Sequence, residues 1–236
     1  MQRGSGASRF RNSTAAWFGL AAAAALLIAA LSTGSAQAPV LGGPGGAQRQ
    51  GPPTPPPTAG AHLDITDGSS ASYRVTEQFV GIDFPNDAIG SSTAVAGSIT
   101  IAKDGSITPD SKLTVDLSKL SSDQDMRDNF VHTRTLETAK FPMAEFVPTK
   151  ITGVPAMIPF QGQSGIQLTG NMTIHGVTKE VTFQGIATFN RDSTVAGRVK
   201  TSFTFGTFGL TKPAIARLMN VDDKIDLDIV FRFKRS

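Results

Sequence analysis

The side chains best suited to acid–base or metal chemistry are few and lie far apart in this sequence. The chain contains three histidines and no cysteine. The histidines are His62, His132 and His175, and none of them falls in a spacing typical of paired metal ligands. We therefore predict no metal site.

Two other motifs suggest chemistry at first sight but do not meet its requirements. The Gly-Gln-Ser-Gly run at 162–165 lacks one residue of the G-x-S-x-G nucleophile elbow, and we expect it to be a loop. The acids Asp222, Asp223, Asp226 and Asp228 could form a calcium loop, but the last two alternate with apolar residues and indicate a solvated strand face. The sequence predicts no catalytic residue and no cofactor.

Alternating apolar and polar residues recur from residue 70 to the end of the chain and predict an antiparallel all-β domain. The clearest case is residues 168–183, where two alternating runs flank His175-Gly176 and predict a β-hairpin. Seven or eight such strands form either a closed barrel or a sandwich. The apolar positions that we expect to face the interior and contact a ligand are Phe183, Val199, Phe203, Phe205, Leu227, Ile229 and Phe231.

Helical patterns interrupt the strands at two places. Residues 122–125 resemble a capping box, and Met126 with Phe130 forms an i, i+4 apolar pair, so we predict a helix over about 123–135. We expect Met126 and Phe130 to dock on the rim of the barrel, contact the ligand and gate it. Residues 213–219 could form a second short helix.

The N-terminal residues have the composition of a leader followed by a linker. Arginines precede the apolar run Ala15–Leu31, and small residues end at Ala38, so residues 1–38 indicate an export signal. The run is only slightly shorter than the ~20 residues that span a bilayer, which leaves cleavage after Ala38 and retention as a membrane anchor both open. Residues 39–61 are rich in Pro and Gly and predict a tether, followed by one domain over 62–236.

The charge distribution argues against nucleic-acid binding. Of the 22 Lys and Arg residues, four (Arg3, Arg9, Arg11 and Arg49) precede residue 62, where no acid occurs. The domain therefore has 18 basic residues against 19 acidic ones. Phosphate binding depends on clustered basic side chains, so the main support for that class of function is missing.

Several ordered motifs resemble the YceI-like family of lipid-binding antiparallel barrels. They are the run 168–183 around His175-Gly176, Arg127-Asp128, Lys140-Phe141-Pro142, Phe208-Gly209-Leu210 and the segment 221–225. The resemblance implies an all-β fold, a closed lipocalin-like barrel of about eight strands with one or two short helices. It also implies a long-chain isoprenoid or related apolar lipid as the ligand.

These observations favour an exported, non-enzymatic carrier, periplasmic or extracellular, with membrane association through residues 15–31 if the leader is retained. Glycines at 97, 170, 185 and 197 fall on inward registers, where they remove volume and favour a cavity. Two alternatives remain open. One is an enzyme that acts on a bound lipid, and the other is a tethered interaction module with a solid core and no small-molecule ligand.

Overall fold

The protein was described with a computed structural model, which places residues 60–81, 83–154, 161–213 and 218–236. In these residues the chain forms twelve strands and one α-helix. The strands are β1 (Ala61–Ile65), β2 (Ser70–Phe79), β3 (Asn86–Ser92), β4 (Val95–Ile101), β5 (Lys112–Asp116), β6 (Ser121–Ser122), β7 (Met143–Thr152), β8 (Gly162–Ile174), β9 (Val177–Phe189), β10 (Thr194–Thr204), β11 (Leu218–Val221) and β12 (Lys224–Arg235).

Eight of these strands form a closed antiparallel ring. The hydrogen-bonded order is β1, β4, β5, β7, β8, β9, β10 and β12, and β12 pairs with β1 again. Closure leaves no free edge in the ring. The predicted lipocalin-like barrel is therefore confirmed, and the sandwich alternative is wrong.

Four further strands extend the sheet beyond the ring, and they are β2, β3, β6 and β11. The C-terminal part of β12 pairs with β1, whereas its N-terminal part pairs with β2. β2 also pairs with β3 and β11, and β3 pairs with β6. β2 follows the alternation predicted from residue 70 onward, whereas β6 and β11 are too short to show alternation and were not predicted.

The central hairpin follows the sequence pattern closely. β8 and β9 pair from Gly162 opposite Phe189 to Ile174 opposite Val177. His175 has φ 52° and Gly176 has φ 74°, the left-handed values that a two-residue type I′ turn requires. The predicted hairpin is confirmed, but the loop that we expected at 162–165 is the first part of β8.

The predicted helix over 123–135 is shorter and less regular than expected. α1 spans Asp125–Phe130, and a π-helical turn continues it over Val131–Thr135. The capping box is wrong. The backbone N–H of Ser122 donates to both carboxylate oxygens of Asp128, at 2.9 Å each, and the helix is preceded by Gln124 without a side-chain cap.

Three-residue and four-residue 3₁₀ helices occur at Leu117–Lys119 and Phe205–Phe208. The second short helix predicted over 213–219 is wrong at its end, because Leu218 begins β11, whose backbone pairs with β2. Residues 214–217 of that prediction lie outside the described residues. So do residues 1–59, and the predicted leader, anchor and most of the tether therefore stay predictions. Within the described ranges, no helix combines the length and hydropathy needed to cross a bilayer.

Candidate ligand-binding cavity

The inward faces of the barrel strands enclose an apolar cavity of about 240 Å³. This exceeds the ~150 Å³ of an engineered apolar cavity that stays dry and binds benzene. Alternate residues of β12 line it from Ile225 to Phe233, a path of about 26 Å at ~3.3 Å per residue. The cavity is therefore elongated in the direction of the strands.

Most of the predicted contact residues line this cavity. They are Phe183, Val199, Phe203, Phe205, Leu227, Ile229 and Phe231. Strand alternation brings them together, because β9, β10 and β12 are neighbours in the ring and each presents one apolar face inward. Phe205 lies just beyond β10, in the 3₁₀ helix, and is still buried there. Whether these residues bind a ligand stays a prediction.

The two helical residues of that prediction do not line the cavity. Met126 is 84% exposed, and Phe130 is half-buried away from the lining. The helical segment instead presents Arg127, Val131 and Thr135 to the cavity. Arg127 pairs with Glu77 of β2, whereas the Met126 side chain lies in solvent. The predicted docking of Met126 on the rim is therefore wrong, and Phe130 does not line the cavity. That the segment gates a ligand stays a prediction.

Hydrogen bonds connect the helical segment to the barrel at two points. The Thr135 hydroxyl donates to the carbonyl oxygen of Thr211 at 3.1 Å, beyond β10. His132 Nε2 donates to the carbonyl oxygen of Leu120 at 2.8 Å, between β5 and β6. Because these contacts reach opposite sides of the ring, the segment covers one end of the barrel.

We expected the inward glycines to leave empty volume in the barrel, but the space beside them is occupied. A Cβ at Gly170 would lie 2.7 Å from the Phe146 ring, and one at Gly197 would lie 2.5 Å from the Phe231 ring. The space beside these glycines is filled by aromatic rings and by the backbone of the neighbouring strand. Glycine there permits close approach of strands and rings, and does not itself leave a void.

A polar cluster, formed by Tyr73, Glu77, Asp123 and Arg127, borders the cavity beneath the helical segment. Arg127 Nη2 donates to Glu77 Oε2 at 3.2 Å, and Nη1 donates to Asp123 Oδ1 at 2.6 Å. The Arg127 side chain is 13% exposed and that of Glu77 is 8% exposed. The pair is thus largely buried. In such a site each charge needs its partner to offset the hydration that it has lost.

Tyr73 completes this cluster with a buried hydroxyl. Among the described residues no protein atom forms a hydrogen bond with its Oη. Burial, partly offset by the positive charge of Arg127, raises the pKa of Tyr73 to about 12. Its ring lies across Gly90 of the neighbouring β3, where a Cβ would collide with it. The absence of a side chain at Gly90 therefore leaves the space that the Tyr73 ring occupies.

Only part of the polar cluster could be identified from the sequence. Asp123 and Arg127 have the i, i+4 spacing of a helical ion pair, and that pair is confirmed. Tyr73 and Glu77 were not identified, although one signal was available. Tyr73, Val75 and Glu77 occupy alternate positions of β2, so an acidic residue continues the apolar register. A carboxylate at such a position must find a buried partner. The partner, Arg127, comes from a helix distant in sequence and could not be assigned by periodicity.

The histidines serve structural contacts away from the cavity. His175 Nε2 donates to Glu137 Oε2 at 2.6 Å, and His62 Nδ1 lies 2.8 Å from the Thr100 hydroxyl. No histidine is among the residues that line the cavity. In the part of the chain that the structure describes, no three His, Asp or Glu side chains are grouped so that they could hold a metal ion.

Comparison with known proteins gives matches by sequence and by fold. The family model described as "YceI-like domain" matches residues 65–233. A UPF0312 protein of Pseudomonas fluorescens (strain SBW25) is 32% identical over 129 residues, which are 50% of this chain and 60% of that protein. The chain thus covers less than two thirds of this relative's length.

Two solved structures share the fold at low sequence identity. A polyisoprenoid binding domain from Saccharophagus degradans has a TM-score of 0.56 and 12% identity, covering 75% of this chain and 99% of that one. BcnA of Burkholderia cenocepacia has a TM-score of 0.51 and 16% identity, covering 70% and 95%. At these identities the likeness concerns the fold.

Proposed function

Because the chain belongs to the YceI-like domain family, we propose that it is a non-enzymatic binding protein that holds a long apolar lipid of the isoprenoid type inside its barrel. The observation that carries this proposal is the elongated cavity, whose wall is almost entirely apolar. The polyisoprenoid binding domain of Saccharophagus degradans, which has the same fold, adds support for the ligand class.

Desolvation alone would supply useful affinity in such a cavity. Burying a methylene group contributes ~0.8 kcal/mol, so an isoprene unit of five carbons contributes about 4 kcal/mol before the costs of binding. Two buried units would contribute about 8 kcal/mol, and each further unit adds to what remains after the cost of association is subtracted. A longer chain can therefore reach useful affinity without a specific polar contact.

The cavity also argues against the two alternative functions, a solid-cored interaction module and an enzyme. A solid-cored interaction module would have an interior filled by side chains, which is not the case here. An enzyme would need a nucleophile and base, or a metal, beside the bound molecule. The ionisable residues that line the cavity are Tyr73, Glu77, Arg127 and Glu145. Glu77 forms an ion pair with Arg127, and Glu145 forms one with Lys112.

We further propose that the protein works outside the cytoplasm. The support is the leader-like composition of residues 1–38, with cleavage after Ala38, and the Pro- and Gly-rich run to residue 61. N-terminal sequencing of protein from its own host tests this. A first residue of Pro39 would support export with cleavage, and an intact Met1 in the membrane fraction would support the anchor instead.

Binding can be tested with a C20 polyprenol titrated into protein that has been extracted with organic solvent. Phe203 lines the cavity, and a charge there would remain desolvated beside the ligand, so Phe203→Asp should weaken binding at least tenfold. Phe84 is 79% exposed, so Phe84→Asp should bind as the unaltered protein does.

Circular dichroism melting shows whether both variants are folded. A folded Phe203→Asp variant that binds the polyprenol with unchanged affinity would contradict the proposal. So would failure of the unaltered protein to bind any isoprenoid probe.

A further inference from the structure

The most exposed large apolar side chains of the described residues belong to two elements at the covered end of the barrel. Met126 is 84% exposed, Phe84 is 79% exposed and Val80 is 64% exposed. Met126 lies in α1, and the other two lie in the connection between β2 and β3. Single exposed apolar side chains are common, whereas several at one place mark a contact surface.

The ion pair between Glu77 of β2 and Arg127 of α1 brings these three side chains close to one another. Val80 follows Glu77 by three residues, at most about 10 Å along an extended strand. β3 begins two residues after Phe84, and its first residue pairs with Glu77. Met126 precedes Arg127 in the helix. We call Val80, Phe84 and Met126 the apolar tip.

The helical segment separates the apolar tip from the cavity. Arg127, Val131 and Thr135 of this segment line the cavity, whereas Met126 lies in solvent. Each strand of the ring is hydrogen-bonded to a strand on both sides, but the helical segment belongs to no sheet and is held through side-chain contacts. Elements with few backbone bonds to their surroundings open most easily, so this end is the most favourable route between cavity and solvent.

The charges next to the apolar tip are negative. Asp83 and Asp125 each adjoin a residue of the tip in the sequence, and both are exposed. Arg134 and Lys212 are exposed as well, but they lie at the far end of the helical segment, where Thr135 donates to the Thr211 carbonyl oxygen. Carboxylates are repelled by anionic lipid head groups, whereas a zwitterionic bilayer has no net charge.

We propose that the apolar tip docks on the surface of a lipid bilayer without net charge, and that the ligand enters and leaves the barrel at this end. This inference rests on the proposed function. A lipid held by desolvation would lose that stabilisation if it crossed water alone. Contact between the tip and the bilayer lets the lipid pass from one apolar environment to another.

Docking can be measured by flotation of the extracted protein with phosphatidylcholine vesicles. The double variant Phe84→Ser/Met126→Ser removes most of the tip and should weaken vesicle binding at least about tenfold, since each side chain loses its burial in the bilayer. Ile186→Ser/Val230→Ser is the matched control, because Ile186 is 48% exposed and Val230 39% exposed on the outer wall of the ring. This control should bind vesicles as the unaltered protein does.

The lipid charge provides a second comparison. Replacement of about a third of the phosphatidylcholine by phosphatidylglycerol should weaken vesicle binding, and more strongly at low salt, because screening of the carboxylates is then weaker. Tighter binding to the anionic vesicles would contradict the choice of an uncharged surface. Equal vesicle binding by the unaltered protein and the tip variant would contradict docking through the tip.

Uptake of a C20 polyprenol from phosphatidylcholine vesicles tests the route. Uptake through contact becomes faster as the protein concentration rises, whereas uptake through water is limited by desorption from the vesicle. We expect the rate to rise with protein concentration and the tip variant to be at least fivefold slower. Its affinity for polyprenol added from organic solvent should be unchanged, because no residue of the tip lines the cavity.

The outcomes separate the two proposals. If the unaltered protein takes up no polyprenol from vesicles or from solvent, the proposed function fails. If it takes up polyprenol from both and the folded tip variant is equally fast, the proposed function stands and the docking surface is wrong. A concentration-dependent mass that the tip variant lacks, without binding to vesicles, would show that the tip joins two copies of the chain and would overturn the proposal.

Discussion

At the scale of single residues, the ion pair between Arg127 and Glu77 is the contact that sets the polar end of the cavity. It joins α1 to β2 across the covered end of the barrel. A second Arg–carboxylate pair, Arg74 with Asp87, has the same 3.2 Å separation but lies in solvent, with side chains 54% and 42% exposed. The two pairs therefore differ in burial and not in distance.

This difference predicts unequal costs for removing each carboxylate. Glu77→Ala leaves Arg127 largely buried with only Asp123 as a charged partner, and should lower the free energy of unfolding by about 3 kcal/mol. Asp87→Ala should cost less than about 1 kcal/mol, as exposed pairs do. Urea unfolding measures both. Equal losses in the two variants would show that the buried pair has no special role.

A pH effect is expected at Glu137. The hydrogen bond from His175 lowers the pKa of this carboxyl below its ordinary value, and the charge of Lys140 acts in the same direction. A carboxyl whose pKa is lower in the folded state stabilises the fold above its unfolded pKa of about 4.3, and this stabilisation is lost as the pH falls through the folded value. The melting temperatures of the unaltered protein and Glu137→Gln should thus converge on acidification from pH 7 to 3. A melting-temperature difference that stays constant over that range would exclude the ionised Glu137 carboxylate as its source.

At the scale of elements, the hairpin of β8 and β9 is fixed to the barrel by its turn. The Phe141 ring contacts the His175 ring edge-on at 4.7 Å, and Glu137, with φ 44°, accepts from His175. The motif around His175-Gly176 is therefore structural. It joins the central hairpin to the segment between the helical turn and β7.

Gly176 should be the least replaceable residue of this turn. Its φ of 74° disfavours any side chain, and a Cβ would lie 2.9 Å from Phe141 Cε1. Gly176→Ala should lower the free energy of unfolding by about 1–2 kcal/mol. In Gly165→Ala, within β8, the nearest atom would lie 4.0 Å from the new Cβ, so stability should change little. A Gly176→Ala variant as stable as Gly165→Ala would contradict this account of the turn.

Elements with strict alternation could be predicted from the sequence, and those defined by tertiary contacts could not. β10 and β12 each show one apolar and one polar face over many residues, so the lining residues Val199, Leu227 and Ile229 followed directly. The inward face of the helical segment could not be predicted in this way, because Arg127 forms an ion pair with Glu77, which belongs to another element. An apolar pair such as Met126 and Phe130 gives no hint of a competing buried charge.

At the scale of the whole molecule, the eight-stranded ring and its covering helical segment form a container for an apolar molecule. The ring supplies an enclosed interior, the helical segment covers one end, and the polar cluster lies between them. In this account the chain of the ligand is held by desolvation against the apolar side chains that line the barrel interior.

Native mass spectrometry of the protein purified under mild conditions from its own host tests this account most directly. We predict a mass above that of the polypeptide, which returns to the polypeptide mass after organic extraction, and an extracted molecule with an isoprenoid chain. A bare polypeptide mass at every stage of purification, or a bound molecule without an isoprenoid chain, would contradict the central claim.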